Sequence, residues 1–342
     1  VSDWERRERA RRAEVMALPT LKVRHHAVVA GERGEARASV SVGPEGEVLA
    51  LWTAAEDLPA QRSSPTRSAG AAFPDSRAPR PVAARVTTHT SVRAVTMVRL
   101  AELPLAHVKV QPLPQGRVLA VAARARWRPE GADRNAIVYD PEGNVLAEET
   151  LGDGIGHVFA TRTGHIWVGY FDEGVFGNYG WGGPGPAPLG ACGLARFSPD
   201  LRPDWRFPGG DPWGWIADCY ALNVAGEAAW TCYYTGFPVV RSHDGVLTGW
   251  RNDISGIQAL AVGDSARIAL YGGYGANRDR LAAGDLGDGR LHTTAEYRIV
   301  LPDGQPLPAR TQVIGRGPDL HFIADHDWYR LALEDVPVRP DK

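Results

Sequence analysis

Thr163-Gly164-His165-Ile166-Trp167-Val168-Gly169-Tyr170 and, after a glycine-rich excursion, Gly193-Leu194-Ala195-Arg196-Phe197-Ser198 are the two segments whose reading decides the fold. A Thr-Gly turn feeds a short apolar and aromatic strand. A second strand follows the excursion and ends on the turn Ser198-Pro199-Asp200. Weaker copies of this arrangement recur along the chain, so the stretch reads as one unit of a repeating β-architecture.

Working outward, the later units are the clearest. One places strands at 157–161, 166–170, 194–197 and 204–207. The next places them at 219–224, 228–234, 238–241 and 246–250, and a third at 257–262, 267–271, 281–285 and 291–299. Earlier strands are expected at 23–29, 38–42, 48–52, 84–88, 93–100, 108–111, 117–125, 136–139 and 145–149. The chain closes with 312–314, 320–324 and 328–333. Short strands in groups of four are the pattern of a β-propeller, and the count gives six blades. The last group supplies only three strands, while 23–29 is an orphan. Giving that strand to the last blade removes two free sheet edges. The repeat T-G-H-I-W-V-G with G-L-A-R-F after it resembles that of the sensor and NHL-type propellers, a resemblance that implies fold alone. The expected fold is an all-β, six-bladed β-propeller closed by an N-terminal strand in the last blade, with a short N-terminal helix. The expected divisions are an extension at 1–20, a single propeller domain at 21–336 and a tail at 337–342.

Composition fits this reading. With 342 residues, 44% of them hydrophobic, the chain is long enough for one large closed β-domain. Its 39 Gly and 26 Pro supply the turns that many short strands need. A net charge of −2 argues against nucleic acid or a polybasic membrane role. No stretch approaches the roughly 18 continuous apolar residues that span a bilayer. Much Arg and Ala beside little Lys reflects GC-rich coding rather than function. Residues 2–17 have a helical pattern, capped by Ser2 or Asp3 and ended by Pro19. Their five arginines alternate with Glu8 and Glu14 as a solvated face. The N-terminus has no apolar region behind its arginines, and Cys192, Cys219 and Cys232 are odd in number with no CxxC spacing. Together these give the expectation of no secretory leader, free thiols and a cytoplasmic location.

Candidate functional residues follow from register and loop length. Counting ten places back from the apolar anchors Leu49, Leu119, Trp167, Trp230, Ile268 and Phe322 lands on Ser39, Lys109, His157, Tyr220, Gln258 and Gln312. All six are polar, and each would open the innermost strand of its blade, so they are expected to form a collar around a central channel. The long connections 54–84, 126–134, 171–193 and 272–280 fall on one face, where function usually sits. There Asp172, Tyr179, Trp181, Trp213, Trp215 and Tyr274 would form an aromatic wall for a ligand.

Catalytic motifs are sparse. There is no G-x-S-x-G elbow, phosphate-binding loop or strand-linked GxGxxG. Of the two local clusters, His25-His26 lies in the expected strand 23–29 and Asp325-His326-Asp327 reads as a turn with solvated side chains, so no metal and no cofactor is expected. The leading expectation is a binding propeller that takes a small organic molecule or peptide on its long-loop face, without nucleic acid or membrane. The alternative is a cofactor-independent lyase, isomerase or cyclase using His157 as acid and base, with Tyr220, Lys109 and Asp218 polarising the substrate.

Overall fold

The computed structural model describes residues 3–337, apart from 65, 69 and 70. Ser2 as a helix cap and residues 338–342 of the expected tail lie outside the described residues. The inner strands are runs of apolar side chains buried on both faces, as Val118–Ala122 and Ile166–Tyr170 are throughout their length. The outer strands, such as Val145–Glu149 and Pro203–Arg206, alternate or lie exposed. That gradient forces each group of four to stand on edge and pack face to face with its neighbours.

The result is a six-bladed β-propeller. The first blade runs Glu35–Val42, Val48–Ala54, Arg77–His89 and Ala94–Leu105; the second Val108–Pro112, Val118–Ala122, Ala136–Tyr139 and Val145–Glu149. The third runs Ile155–Ala160, Ile166–Tyr170, Leu194–Phe197 and Pro203–Arg206; the fourth Asp218–Ala225, Ala228–Tyr234, Val239–His243 and Val246–Trp250. The fifth runs Ile257–Val262, Arg267–Gly272, Arg280–Gly287 and Arg290–Val300; the sixth Gln312–Arg316, Asp319–Ala324, Asp327–Ala332 and the N-terminal Arg24–Val28. The chain forms two compact units: Val29–Cys219 holds blades one to three, and Val1–Val28 with Tyr220–Lys342 holds the rest.

The N-terminal segment does more than close the last blade. Arg24–Val28 pairs antiparallel with Asp327–Ala332, the expected closure. Just before it, Thr20–Lys22 pairs parallel with Arg290–Val300 and gives the fifth blade a fifth strand. Between the two, Val23 is buried in the apolar core shared by blades five and six, and its amide bonds the Val300 carbonyl. One strap therefore covers two outer edges. The helix before it, Asp3–Ala17, is solvated, with Val15 as its only buried residue.

Buried carboxamides join the innermost strands. Gln111 of the second blade donates to the Val42 carbonyl of the first at 3.2 Å and accepts from the Ala160 amide of the third at 2.9 Å. In the other unit, Asn223 of the fourth blade donates to the carbonyls of Leu260 and Gly317, at 2.7 and 2.9 Å, and accepts from the Gly317 amide at 2.7 Å. Asn135 works within the second blade and its exit, donating to the Ala122 and Gly152 carbonyls and accepting from the Leu151 amide. The fit is close enough that a Cβ at Gly315 would collide with the Leu260 carbonyl.

Two expectations change. Residues 54–84 are not a loose loop: they hold two helical turns, the hairpin Thr66–Ser68 with Ala71–Phe73, and the start of the long strand Arg77–His89. Gln61 anchors this excursion, donating to the Leu105 carbonyl at 2.8 Å. Short helices at Leu58–Gln61 and Asp172–Phe176 also occur where only strands and turns were expected.

Removing residues 1–17 should change thermal stability little, because the helix buries almost nothing. Removing 1–29 should cost several kcal/mol, since it bares two sheet edges and takes Val23 from the core. Equal effects of the two truncations on thermal unfolding would contradict the strap. Asn223→Leu should cost about 2–4 kcal/mol in denaturant unfolding, because it leaves buried carbonyls and an amide unpaired; a loss below about 1 kcal/mol would contradict the stitching role.

Candidate functional site

One recess in the Tyr220–Lys342 unit is a cavity of about 570 Å³. Its walls include Tyr220, Gln258, Tyr274, Arg278, Asp279 and Thr311. Tyr220 is the third residue of the fourth blade's inner strand, and Gln258 sits at a bulge in the fifth blade's inner strand. Tyr274 comes from the loop after Arg267–Gly272. The Tyr274 hydroxyl donates to that of Tyr220 at 2.8 Å. Both rings also meet Phe237 edge-on, at 5.1 Å for Tyr220 and 6.0 Å for Tyr274. Gly256, at φ 72°, leaves the room: a Cβ there would stand 2.9 Å from the Tyr274 ring.

The polar side of this cavity comes from the single helical turn Gly275–Asp279. Arg278 is half exposed, bonds the Ala309 carbonyl at 3.2 Å and lies 3.5 Å from the Asp279 carboxylate. Tyr271 donates to Asp279 at 3.4 Å, and burial, then the Asp279 charge, push its pKa far up, so it remains a neutral donor. The same turn separates this cavity from a second one of about 620 Å³ beneath the N-terminal helix. Arg11 of the helix bonds Asn277 at 3.2 Å.

In the Val29–Cys219 unit, Ser39, Lys109 and His157 share one rung. Each pairs with the residue two past its anchor: Ser39 with Leu51, Lys109 with Val121, His157 with Gly169. The expected common offset fails in the other unit. Anchors pair eight places back in the first three blades (Leu49 with Ser41, Leu119 with Gln111, Trp167 with Phe159). The fifth blade pairs Ile268 with Val262 and the sixth pairs Phe322 with Val313, so a fixed count of ten reaches other rungs. Gln312 is exposed and does not line the cavity. His157 donates from Nε2 to the Cys219 carbonyl at 3.1 Å.

Asp218 is half-buried, and its pKa is raised to about 6, first by burial and then by the charge of Asp172. Asp172 is exposed at the head of the helix Asp172–Phe176. This acidic pair was visible in the sequence only as two separate candidates.

The 171–193 excursion is a clamp. Arg124 is buried and forks onto Asp153 at 2.8 and 2.9 Å. It lies 4.3 Å from the Tyr179 ring and pairs with Glu173 at 2.5 Å. Burial opposes the guanidinium charge, but Asp153 and Glu173 outweigh it and raise the pKa of Arg124. Trp181 is buried, and its indole donates to the Ala125 carbonyl at 2.8 Å. Tyr179 donates to the Pro74 carbonyl. Trp215 is exposed and Trp213 half-buried.

Three expected residues, Tyr220, Gln258 and Tyr274, therefore meet in one cavity. Arg278, Asp279 and Thr311 were not singled out, although the 272–280 loop was. Trp167 and Trp230 pack as core aromatics, Trp167 edge-on to Trp205 at 5.2 Å and Trp230 stacked on Trp250 at 5.6 Å. The three cysteines are free thiols, two of them buried. His25 meets Asp327 at 2.9 Å, but among the described residues no group of three or more metal-ligating side chains comes together. No helix among them is long and apolar enough to cross a membrane.

No family model and no curated protein matches the sequence. Among solved structures, the chain is similar to an extracellular domain assigned to a one-component system of B. thetaiotaomicron, with 10% identity and a TM-score of 0.42. That match covers 90% of this chain and 40% of the other. The same domain solved as part of a hybrid two-component system gives 9% identity, a TM-score of 0.40 and coverage of 90% and 39%. Apo AztD from Citrobacter koseri gives 10% identity and a TM-score of 0.41, covering 83% of this chain and 79% of AztD. The chain thus spans about two fifths of the first of these structures. The expectation of a cytoplasmic location is overturned by the extracellular domains among these matches. Its physical basis was also thin, because thiols buried in a blade, as Cys219 and Cys232 are, pack as small apolar groups and carry no address.

Asp218 should titrate near pH 6 when followed by carboxyl NMR. Asp172→Asn removes a repelling charge, so it should bring the midpoint down, while burial keeps it above the ordinary 3.8. A midpoint at 3.8 in the unmodified protein would contradict the acidic pair.

Proposed function

We propose that the protein is a ligand-binding propeller of the sensor or NHL type that takes a small organic molecule in the Tyr220–Gln258–Tyr274 cavity. The observation that carries this is the cavity itself: about 570 Å³ falls within the ordinary range for small-molecule sites and leaves little room for a folded partner. Its walls divide the labour. The Tyr220 and Tyr274 rings offer a flat apolar surface for a ring or sugar face. Gln258, exposed into the recess, supplies both a donor and an acceptor. Arg278 supplies a cation at the rim that suits a carboxylate or carbonyl group. A compact ring compound with one acidic or carbonyl substituent fits this set best; a peptide would have to enter by a single side chain.

A second reading, acid–base catalysis, is favoured by one observation. Asp218, poised near pH 6 beside Asp172, has the pKa of a usable general acid or base, and His157 and Lys109 belong to the same compact unit. Tyr220, expected beside them, belongs to the other unit and to the cavity. No activated nucleophile accompanies Asp218, so the binding reading leads.

A panel of sugars, nucleosides and aromatic acids, screened by thermal shift, tests the proposal. A true ligand at about a hundredfold over its Kd stabilises by about 2.7 kcal/mol. Tyr274→Ala and Gln258→Ala should abolish that shift while changing the unliganded stability by less than about 1 kcal/mol, since both side chains are exposed. A ligand whose shift survives both substitutions would place binding elsewhere and overturn the cavity as the site.

A further inference from the structure

The chain carries its basic charge almost wholly as arginine: Lys22, Lys109 and Lys342 are its only lysines. Lys109 lies on the second blade's innermost strand, flanked by the innermost strands of the first and third blades. At the equivalent register on those strands stand Ser39 and His157, the latter with its Nε2 already on the Cys219 carbonyl. Lys109 as a residue is half-buried. No carboxylate among the described residues pairs with its ammonium, and burial is what lowers its pKa. The charged and titratable groups on the strands packed against it are Glu35, Arg37 and His157, and Glu35 is already bound to Arg85 at 2.9 Å. Val48–Ala54 and Val118–Ala122 bring none. The Ser39 hydroxyl is also buried and has no hydrogen-bond partner among the described residues.

We infer that Ser39, Lys109 and His157 form a site for the carboxylate of a small organic monoanion. An ammonium without a counter-ion and a hydroxyl without an acceptor, placed on adjoining strands at one rung, both lack the same thing: an anionic oxygen. One cation answers one negative charge. A phosphate dianion would leave a charge uncompensated in a desolvated recess, which disfavours it. Lysine suits the place better than arginine, because its compact head needs fewer acceptors than the five donors of a guanidinium fork. This site lies in the Val29–Cys219 unit and does not depend on the tyrosine cavity.

Three lysines make the test simple. In protein labelled with ε-¹³C lysine, the signal lost in Lys109→Arg identifies Lys109. Sodium acetate should shift that signal saturably and raise its titration midpoint, whereas sodium chloride at equal ionic strength should not. Lys22 should stay unmoved in both titrations. Ser39→Ala should weaken the acetate response about tenfold through loss of a hydrogen bond to a charged group. If Lys109 responds equally to chloride, or does not respond to acetate, the site is refuted. A response unchanged by both Ser39→Ala and His157→Ala would refute the three-residue arrangement.

Discussion

The structure depends on buried carboxamides that satisfy the backbone of neighbouring blades. A propeller blade pairs its strands internally, yet the ends of its innermost strand run past the ladder and leave amides and carbonyls facing the next blade. Buried without partners, each such group would cost on the order of 1–3 kcal/mol. Gln111 resolves this for blades one to three, and Asn223 for blades four to six, each reaching two neighbouring blades from one side chain. Apolar packing between blades is non-directional. The amides add direction, fixing the height at which one blade stands against the next.

That frame explains where chemistry can be placed. The second strands are buried along almost their whole length, whereas the innermost strands keep half-buried or exposed positions, among them Ser39, Lys109 and His157 in one unit and Tyr220 and Gln258 in the other. Loops anchored on such a frame can carry function without threatening the fold. Two loops diverge in use. The 171–193 excursion is tied down by Arg124 and Trp181, and Glu173 and Tyr179 are spent on that anchorage. The 273–279 turn stays at the rim of a cavity and presents Tyr274 and Arg278 to it.

Much of the fold was legible because strand periodicity and turn chemistry are local signals. The Ile166–Tyr170 strand, the turn at Ser198-Pro199-Asp200 and the orphan N-terminal strand could be read without knowing what they touch. The added Thr20–Lys22 strand could not, since three residues carry too little pattern and parallel pairing leaves no hairpin turn to mark it. The site was legible in part. Tyr220, Gln258 and Tyr274 were found by offset and loop length, but the rung rule failed in the fifth and sixth blades, where hairpin lengths change. Arg124 was read as part of the strand expected over 117–125, which says nothing of its partners; the strand ends at Ala122. Gln111 and Asn223 carried a local signal: each is a lone amide with apolar residues immediately on both sides, Val-Gln-Pro and Ala-Leu-Asn-Val-Ala.

Native-state hydrogen exchange tests the central claim most directly, because it compares frame and rim in one experiment. The amides of Ala160, Leu151 and Gly317, bonded to Gln111, Asn135 and Asn223, should exchange only through global unfolding. Amides of the 273–279 turn should exchange by local opening and gain protection when a cavity ligand is present. Local, ligand-independent exchange at Ala160 and Gly317 would contradict the account, because the amide stitches would then not be what holds the blades in register.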